Sequence, residues 1–320
     1  MKVYRWDLDK TYLDTDFESF RGLVRSATEP AHRKRALPGA ATLLRSLCGS
    51  PDSKITVISG SPTQMRKVIS EKLALDGVEF DELVLKDSFG NLKKGRIRAI
   101  RGQIGYKLPA LLEARVRTDD AAVEVLFGDD VEADALVYSL YADAVEGRVG
   151  AAEVSRVMEK AGAYPDEIDR GLEALAKVKR HDAVERIFIR LERGVPTQRL
   201  SALGNRVVPV YSWWQAALVL LEMGHLNVEQ VQKVMAPVFW EEGTEPWVMG
   251  ALAQDLLRRG WVQPETLMGL HGPPEVIEAC VSAVRSLGGF GVEVSKPTDV
   301  TVDYISLLKT GAWNKRGRAE

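Results

Sequence analysis

A chain of 320 residues has room for two domains, and 45% hydrophobic with 28% charged residues is the composition of an ordinary globular protein. Lys and Arg number 43 against 45 Asp and Glu, a net charge of -2, which excludes the global basic field of a nucleic-acid binder. Cys48 and Cys280 make neither a disulfide framework nor a zinc spacing, and the scattered His32, His181, His225 and His271 make no paired metal motif.

The first stretch, residues 2–8, reads as a strand running into two acids, Asp7 and Asp9. An acid this early, with no apolar run behind Lys2, argues against a signal peptide. Residues 38–48 carry a proline start and helical spacing, 54–60 form a buried strand, and 62–75 an amphipathic helix. A short strand over 79–86, a helix over 108–117, a strand over 122–128 and a helix over 131–141 complete the pattern. Strands alternating with helices predict parallel crossovers in a doubly wound α/β sheet, whose ligands sit beyond the carboxyl ends of the strands.

Beyond residue 150 no strand pattern is evident, and an all-α C-terminal domain of helical hairpins is expected over 151–320. Gly162, Gly194, Gly224 and Gly260 punctuate it at intervals of 32, 30 and 36 residues, with Glu167, Arg199, Glu229 and Glu265 each five residues on. Glycine ends a helix in the left-handed conformation, and a nearby Pro, Asn or Gln opens the next. A repeat array and an irregular helical bundle both fit. The most apolar segment, 213–221, is too short to span a bilayer and reads as a buried helix, and the basic tail 313–320 as a solvated end. The expectation is a soluble, cytoplasmic chain with no transmembrane segment.

Polar clusters fall at the strand ends. D-x-D-x-T, here Asp7 to Thr11, arises by chance in roughly one chain of this size in twenty. It is joined by Ser59 and Ser61 after the second strand, Lys107 at the start of a helix, and Asp129, Asp130 and Asp134 after the fourth strand. In a doubly wound sheet these converge, and carboxylates that close repel unless a hard cation such as Mg²⁺ joins them. The set, in order, resembles the four motifs of the haloacid dehalogenase superfamily of phosphotransferases, over 1–150. Within it, "LPGAATLLRSL", "ITVISGSPTQMRKVISEKL", "FDELVLKDSFGN", "GYKLPALLE" and "LFGDDVEADALVYSLYAD" are similar to the catalytic domain of the actin-patch-associated phosphatidate phosphatases. Three positions depart from that pattern: Lys10 replaces a second acid, Thr63 follows Pro62 where an aromatic is usual, and Tyr106 replaces a histidine.

The resemblance implies a Mg²⁺-dependent phosphomonoester hydrolase with catalytic residues Asp7, Asp9, Ser59 and Lys107. Asp7 is the implied nucleophile and Asp9 the acid and base. Ser59, the amide of Gly60, Lys107 and Thr11 are the implied substrate-binding set. Asp7, the carbonyl of Asp9 and Asp129 are the implied metal ligands, and Asp130 or Asp134, with Asp134 favoured by the superfamily pattern, is implied to join the metal site through bound water or to orient Lys107. Thr11 supports the first turn, Ser61 is a candidate helix cap, and Asp14 and Asp16 read as solvated.

No large insertion separates the motifs, so any cap is reduced to the loop 13–37. An open site suits a bulky substrate: a lipid phosphate such as phosphatidate at a membrane surface, a protein, a nucleic-acid end, or a small-molecule phosphate. Lys93, Lys94, Arg96, Arg98 and Arg101, with "HRKR" at 32–35, read either as a solvated face or as a collar attracting an anionic substrate. The helical half is expected to act as a lid or to bind a protein partner. A degenerate catalytic domain supporting an interaction scaffold is the other reading.

Overall fold

The computed structural model describes residues 1–15, 29–49, 52–87, 102–192, 194–290 and 298–309. The chain alternates β1 (Lys2–Asp7), α1 (Ala40–Cys48), β2 (Ser53–Pro62), α2 (Arg66–Leu75), β3 (Glu82–Lys86), α3 (Ile104–Val116) and β4 (Val123–Asp129). Helices α4 (Asp134–Glu146), α5 (Ala151–Lys160) and α6 (Pro165–Leu175) then lead to β5 (Val184–Arg190), α7 (Thr197–Ser201) and β6 (Val207–Val210). Six more α-helices follow among the described residues: α8 (Trp213–Glu222), α9 (Val228–Ala236), α10 (Pro246–Arg258), α11 (Pro264–Met268), α12 (Pro274–Phe290) and α13 (Tyr304–Lys309).

The strands form one parallel sheet in the order β3-β2-β1-β4-β5-β6. The chain winds outward from β1 to β3, then returns to the other side of β1 at β4. This places the topological switch beside β1. Side chains alternate across the sheet, so each strand feeds two cores. Tyr4, Trp6, Val57, Phe127, Phe188 and Val208 pack with α1, α2 and α8–α12 on one face, and Ile58, Leu126, Ile187 and Ile189 with α3–α6 and α13 on the other. The expected α/β doubly wound sheet is present.

The sheet does not end at residue 150, and the expectation that no strand lies beyond it is corrected by β5 and β6. β5 is a full member: Phe188 stacks on Phe127 at 5.2 Å between centroids, and Phe127 on Trp6 at 4.1 Å, an aromatic row across three strands. β6 carries no strand signal in the sequence because it has four residues and contains Pro209. As the edge strand it needs no amide there on its open side.

All four punctuating glycines are left-handed, with φ of 81°, 67°, 72° and 70° at Gly162, Gly194, Gly224 and Gly260. Three follow helices, but Gly194 follows β5, so the hairpin repeat breaks at its second member. Glu167 accepts from the amide of Tyr164 at 2.9 Å and closes a capping box on α6. Residues 213–221 are a buried helix, as expected. Among the described residues, no helix is long and apolar enough to cross a membrane. The basic run 93–101 and the tail 313–320 lie outside the described residues, as do Asp16 and most of the loop 13–37. Of "HRKR", His32, Arg33 and Arg35 are exposed and Lys34 is buried.

Candidate active site

β1 ends at Asp7, and the chain turns at once: the amides of Tyr12 and Leu13 both donate to Leu8 O, at 2.9 and 2.8 Å. Lys10 takes the left-handed conformation at the apex, φ 61°, an uncommon state for a residue with a Cβ. Its ammonium reaches Asp14 at 3.2 Å and Glu192, just beyond β5, at 3.6 Å. The turn is propped from the far half of the chain, because buried Trp213 at the start of α8 donates its indole N–H to Thr11 O at 2.9 Å. Thr11 donates to Asp129 Oδ2 at 3.1 Å, tying the β1 turn to the end of β4.

Asp7 is buried between β2 and β4, and Lys107 in the first turns of α3 donates to its Oδ1 at 2.7 Å. The same ammonium donates to Glu132 Oε2 at 2.7 Å and to Asp134 Oδ1. Three carboxylates therefore share one cation. Asp134 approaches this closely because residue 128 is glycine: a Cβ there would lie 2.6 Å from Asp134 Oδ2. Asp9 faces β2, where Ser59 and Ser61, two apart and so on one face of the strand, donate to Oδ2 at 3.0 and 2.9 Å. Thr15 donates to its other oxygen at 3.3 Å. Ser61 is thus not the expected helix cap. The turn after β2 is capped by Pro62 without a side-chain bond, and the Ser61 hydroxyl serves Asp9 instead.

Asp129 Oδ1 accepts the amides of Val131 and Glu132, at 2.6 and 2.9 Å, and so holds the loop between β4 and α4. Asp130 turns away and accepts the amides of Glu192 and Val195, at 2.7 and 3.0 Å. Asp7, Asp9, Ser59, Lys107, Asp129 and Asp134 thus meet in one buried crevice, with Thr11 binding Asp129 and Gly60 beneath Gln103. The sequence reading missed Glu132 and Gln103, whose amide donates to Glu132 Oε1 at 2.6 Å. Only the spacing of Glu132 between Asp129 and Asp134 marked it.

Charge crowding has its expected consequence. Burial first, then the neighbouring Asp134, Glu132 and Asp129, hold the Asp7 carboxyl well above the usual carboxylate range, with Lys107 opposing. Burial, with Asp134 and Glu132, raises Asp129 likewise. Asp9 is pushed up to about 6 by burial and by Glu132, against the hydroxyls of Ser61 and Ser59, and Asp134 to about 6 chiefly by burial. Lys107 is held well above its usual range by Asp134, Asp7 and Glu132, which outweigh burial.

The residues fit a hard cation. Asp7, Glu132 and Asp134 offer carboxylate oxygens all within 4.8 Å of one another. These are the acids that hold Lys107, and Asp7 Oδ2 remains buried with no hydrogen-bond partner. A buried oxygen with no donor, among acids whose charge one ammonium does not balance, is what a divalent cation relieves. Asp9 and Asp129, also expected as ligands, lie in the crevice but outside that triad. No protein-family model, curated protein or solved structure matches this chain.

Proposed function

We propose that the chain is a phosphomonoester hydrolase that forms an aspartyl-phosphate on Asp7, in the manner of the haloacid dehalogenase superfamily. The observation that carries this reading is Asp7 itself: one oxygen is fixed by Lys107 at 2.7 Å, and the other is buried and unpartnered. A carboxylate aimed by one oxygen, with the second uncommitted, is arranged to attack.

Asp7 attacks phosphorus, and the bond from phosphorus to the alcohol oxygen breaks as the new one forms. Asp9, two residues on and held by Ser59 and Ser61, gives a proton to the departing alkoxide and then takes one from the water that hydrolyses the acyl phosphate. Inorganic phosphate leaves and Asp7 is restored. A carboxyl raised to about 6 suits that double duty near neutral pH. Lys107 fixes Asp7 and offsets charge on the transferred group. A bound Mg²⁺ would neutralise phosphoryl charge, held by Asp7 with Asp134, the carbonyl of Asp9 and Asp129, and with Glu132 as a further acid. Positioning and electrostatics supply most of the rate in phosphoryl transfer, and those are the roles these side chains fill.

The test is a panel of an aryl phosphate, phosphatidate in vesicles, a phosphopeptide and small alkyl phosphates, assayed with Mg²⁺ and with chelator. Mg²⁺-dependent phosphate release is expected, falling by about 10⁴ or more in Asp7→Asn with the fold retained. Inactivity across the panel in both conditions would instead favour the scaffold reading, and undiminished activity in Asp7→Asn would refute the nucleophile.

A further inference from the structure

Beside the Asp7 cluster lies a second buried cation that the proposed reaction does not use. Lys86, the last residue of β3, is 1% exposed, yet among the described residues its ammonium donates only to Gly102 O, at 2.9 Å. No carboxylate among the described residues pairs with it. The contrast with other buried lysines is direct: Lys72 pairs with Asp76 at 2.7 Å and Lys107 with three acids. An ammonium removed from water with one neutral partner is an unfavourable arrangement unless an anion arrives to meet it.

Its position is beside the residues assigned to the phosphoryl group in the proposed reaction. Lys86 is in register with Pro62, at the carboxyl end of the sheet next to Ser59, Gly60 and Ser61. Two more unsatisfied polar atoms accompany it. Gln103 Oε1 is buried without a partner, and the Gln103 amide lies over Gly60, within 3.3 Å of where a Cβ would stand. The hydroxyl of Tyr106 is also buried and unpartnered, and Lys86 Nζ lies 5.6 Å from the centre of its ring. Burial lowers the Lys86 ammonium to about 8, against the pull of Glu167 and Glu132.

We propose that Lys86, Gln103 and Tyr106 form a subsite beside the phosphoryl position for a second anionic group, a carboxylate or a further phosphate, on the alcohol part of the substrate. This rests on the hydrolase reading and narrows it. The preferred substrates are small phosphomonoesters carrying a second anion close to the ester, and phosphatidate, whose alcohol is neutral, is not among them. Lys107, saturated by three carboxylates, has little left for a second anion, so discrimination falls to Lys86.

The test is calorimetric titration of the full-length Asp7→Asn protein, which binds without turning over, with ethyl phosphate, phosphoglycolate and ethane-1,2-diol bisphosphate in Mg²⁺. Phosphoglycolate or the bisphosphate should bind about tenfold more tightly than ethyl phosphate, the two arms separating carboxylate from phosphate as the second group. Adding Lys86→Met, an uncharged side chain of similar length, should reduce that preference to within about twofold and leave ethyl phosphate affinity nearly unchanged. Equal binding of all three ligands, no binding of any, or a preference that survives Lys86→Met would overturn the proposal. The first comparison uses protein with Lys86 intact, so it decides even where Lys86→Met does not fold. Failure of the hydrolase reading is read separately, as absence of wild-type turnover on the same esters.

Discussion

Strands β1 and β4 share two buried charge clusters, one around Glu124 near the amino end of β4 and one at the carboxyl ends of both strands, built on opposite terms. At the amino end, Glu124 accepts two bonds from Arg5, at 2.8 and 2.6 Å, one from Arg115 at 3.2 Å and one from Tyr141 at 2.6 Å. Burial alone would raise that carboxyl, but Arg5 and the hydrogen bonds more than reverse it, and it titrates below its usual range. At the carboxyl end, Asp7, Glu132 and Asp134 share one ammonium, and burial leaves the carboxyls of Asp7, Asp129 and Asp134 raised. The satisfied cluster holds the sheet together. The unsatisfied one has more acids than its ammonium can pair, the kind of perturbed group from which the proposed function is argued.

The largest effect that separates the two is on stability. Glu124→Ala strands two guanidinium groups in the core and should cost about 3–5 kcal/mol in urea unfolding. Asp134→Asn keeps an acceptor for Lys107 and gives up only the long 3.4 Å bond from the Asp129 amide, so it should change stability by about 1 kcal/mol while lowering turnover by about 10²–10³. A large stability loss in Asp134→Asn would erase the distinction.

A smaller effect follows from Asp9. Its folded-state value of about 6 lies above the ordinary 3.8, so the folded chain binds that proton more tightly than the unfolded one. The contribution favours folding fully below about pH 4 and is lost as pH rises through 6. In chelator, wild type should therefore gain about 2 kcal/mol relative to Asp9→Asn on going from pH 7.5 to pH 4.5. A difference that is flat with pH would mean that the crowding around Asp9 is relieved in solution.

The first half of the molecule was legible because its strands are apolar runs bounded by turn residues, and because Asp7, Asp9, Ser59, Lys107 and Asp134 all fall at or near strand ends or helix starts. The sheet's continuation was not. β5 reads "VERIFIR", with charged residues at three of seven positions, and its pairing with β4 is decided by Phe188 meeting Phe127 across the sheet. The remaining site residues were hidden for a different reason. Glu132, Gln103 and Lys86 are ordinary surface residue types, and only the folded arrangement brings them to the site, Lys86 buried and Glu132 and Gln103 half-buried. Lys10 shows both sides: its position was conspicuous, but its partner Glu192 lies 182 residues away and no local pattern announces it.

The most direct test of the central claim is to trap the intermediate. Wild-type protein mixed with a hydrolysable phosphomonoester and Mg²⁺, quenched in acid during turnover and digested, should yield a phosphoryl group on the peptide containing Asp7, sensitive to hydroxylamine. Hydrolysis of the ester with Asp7 unmodified, or with the phosphoryl group on another residue, would contradict the account.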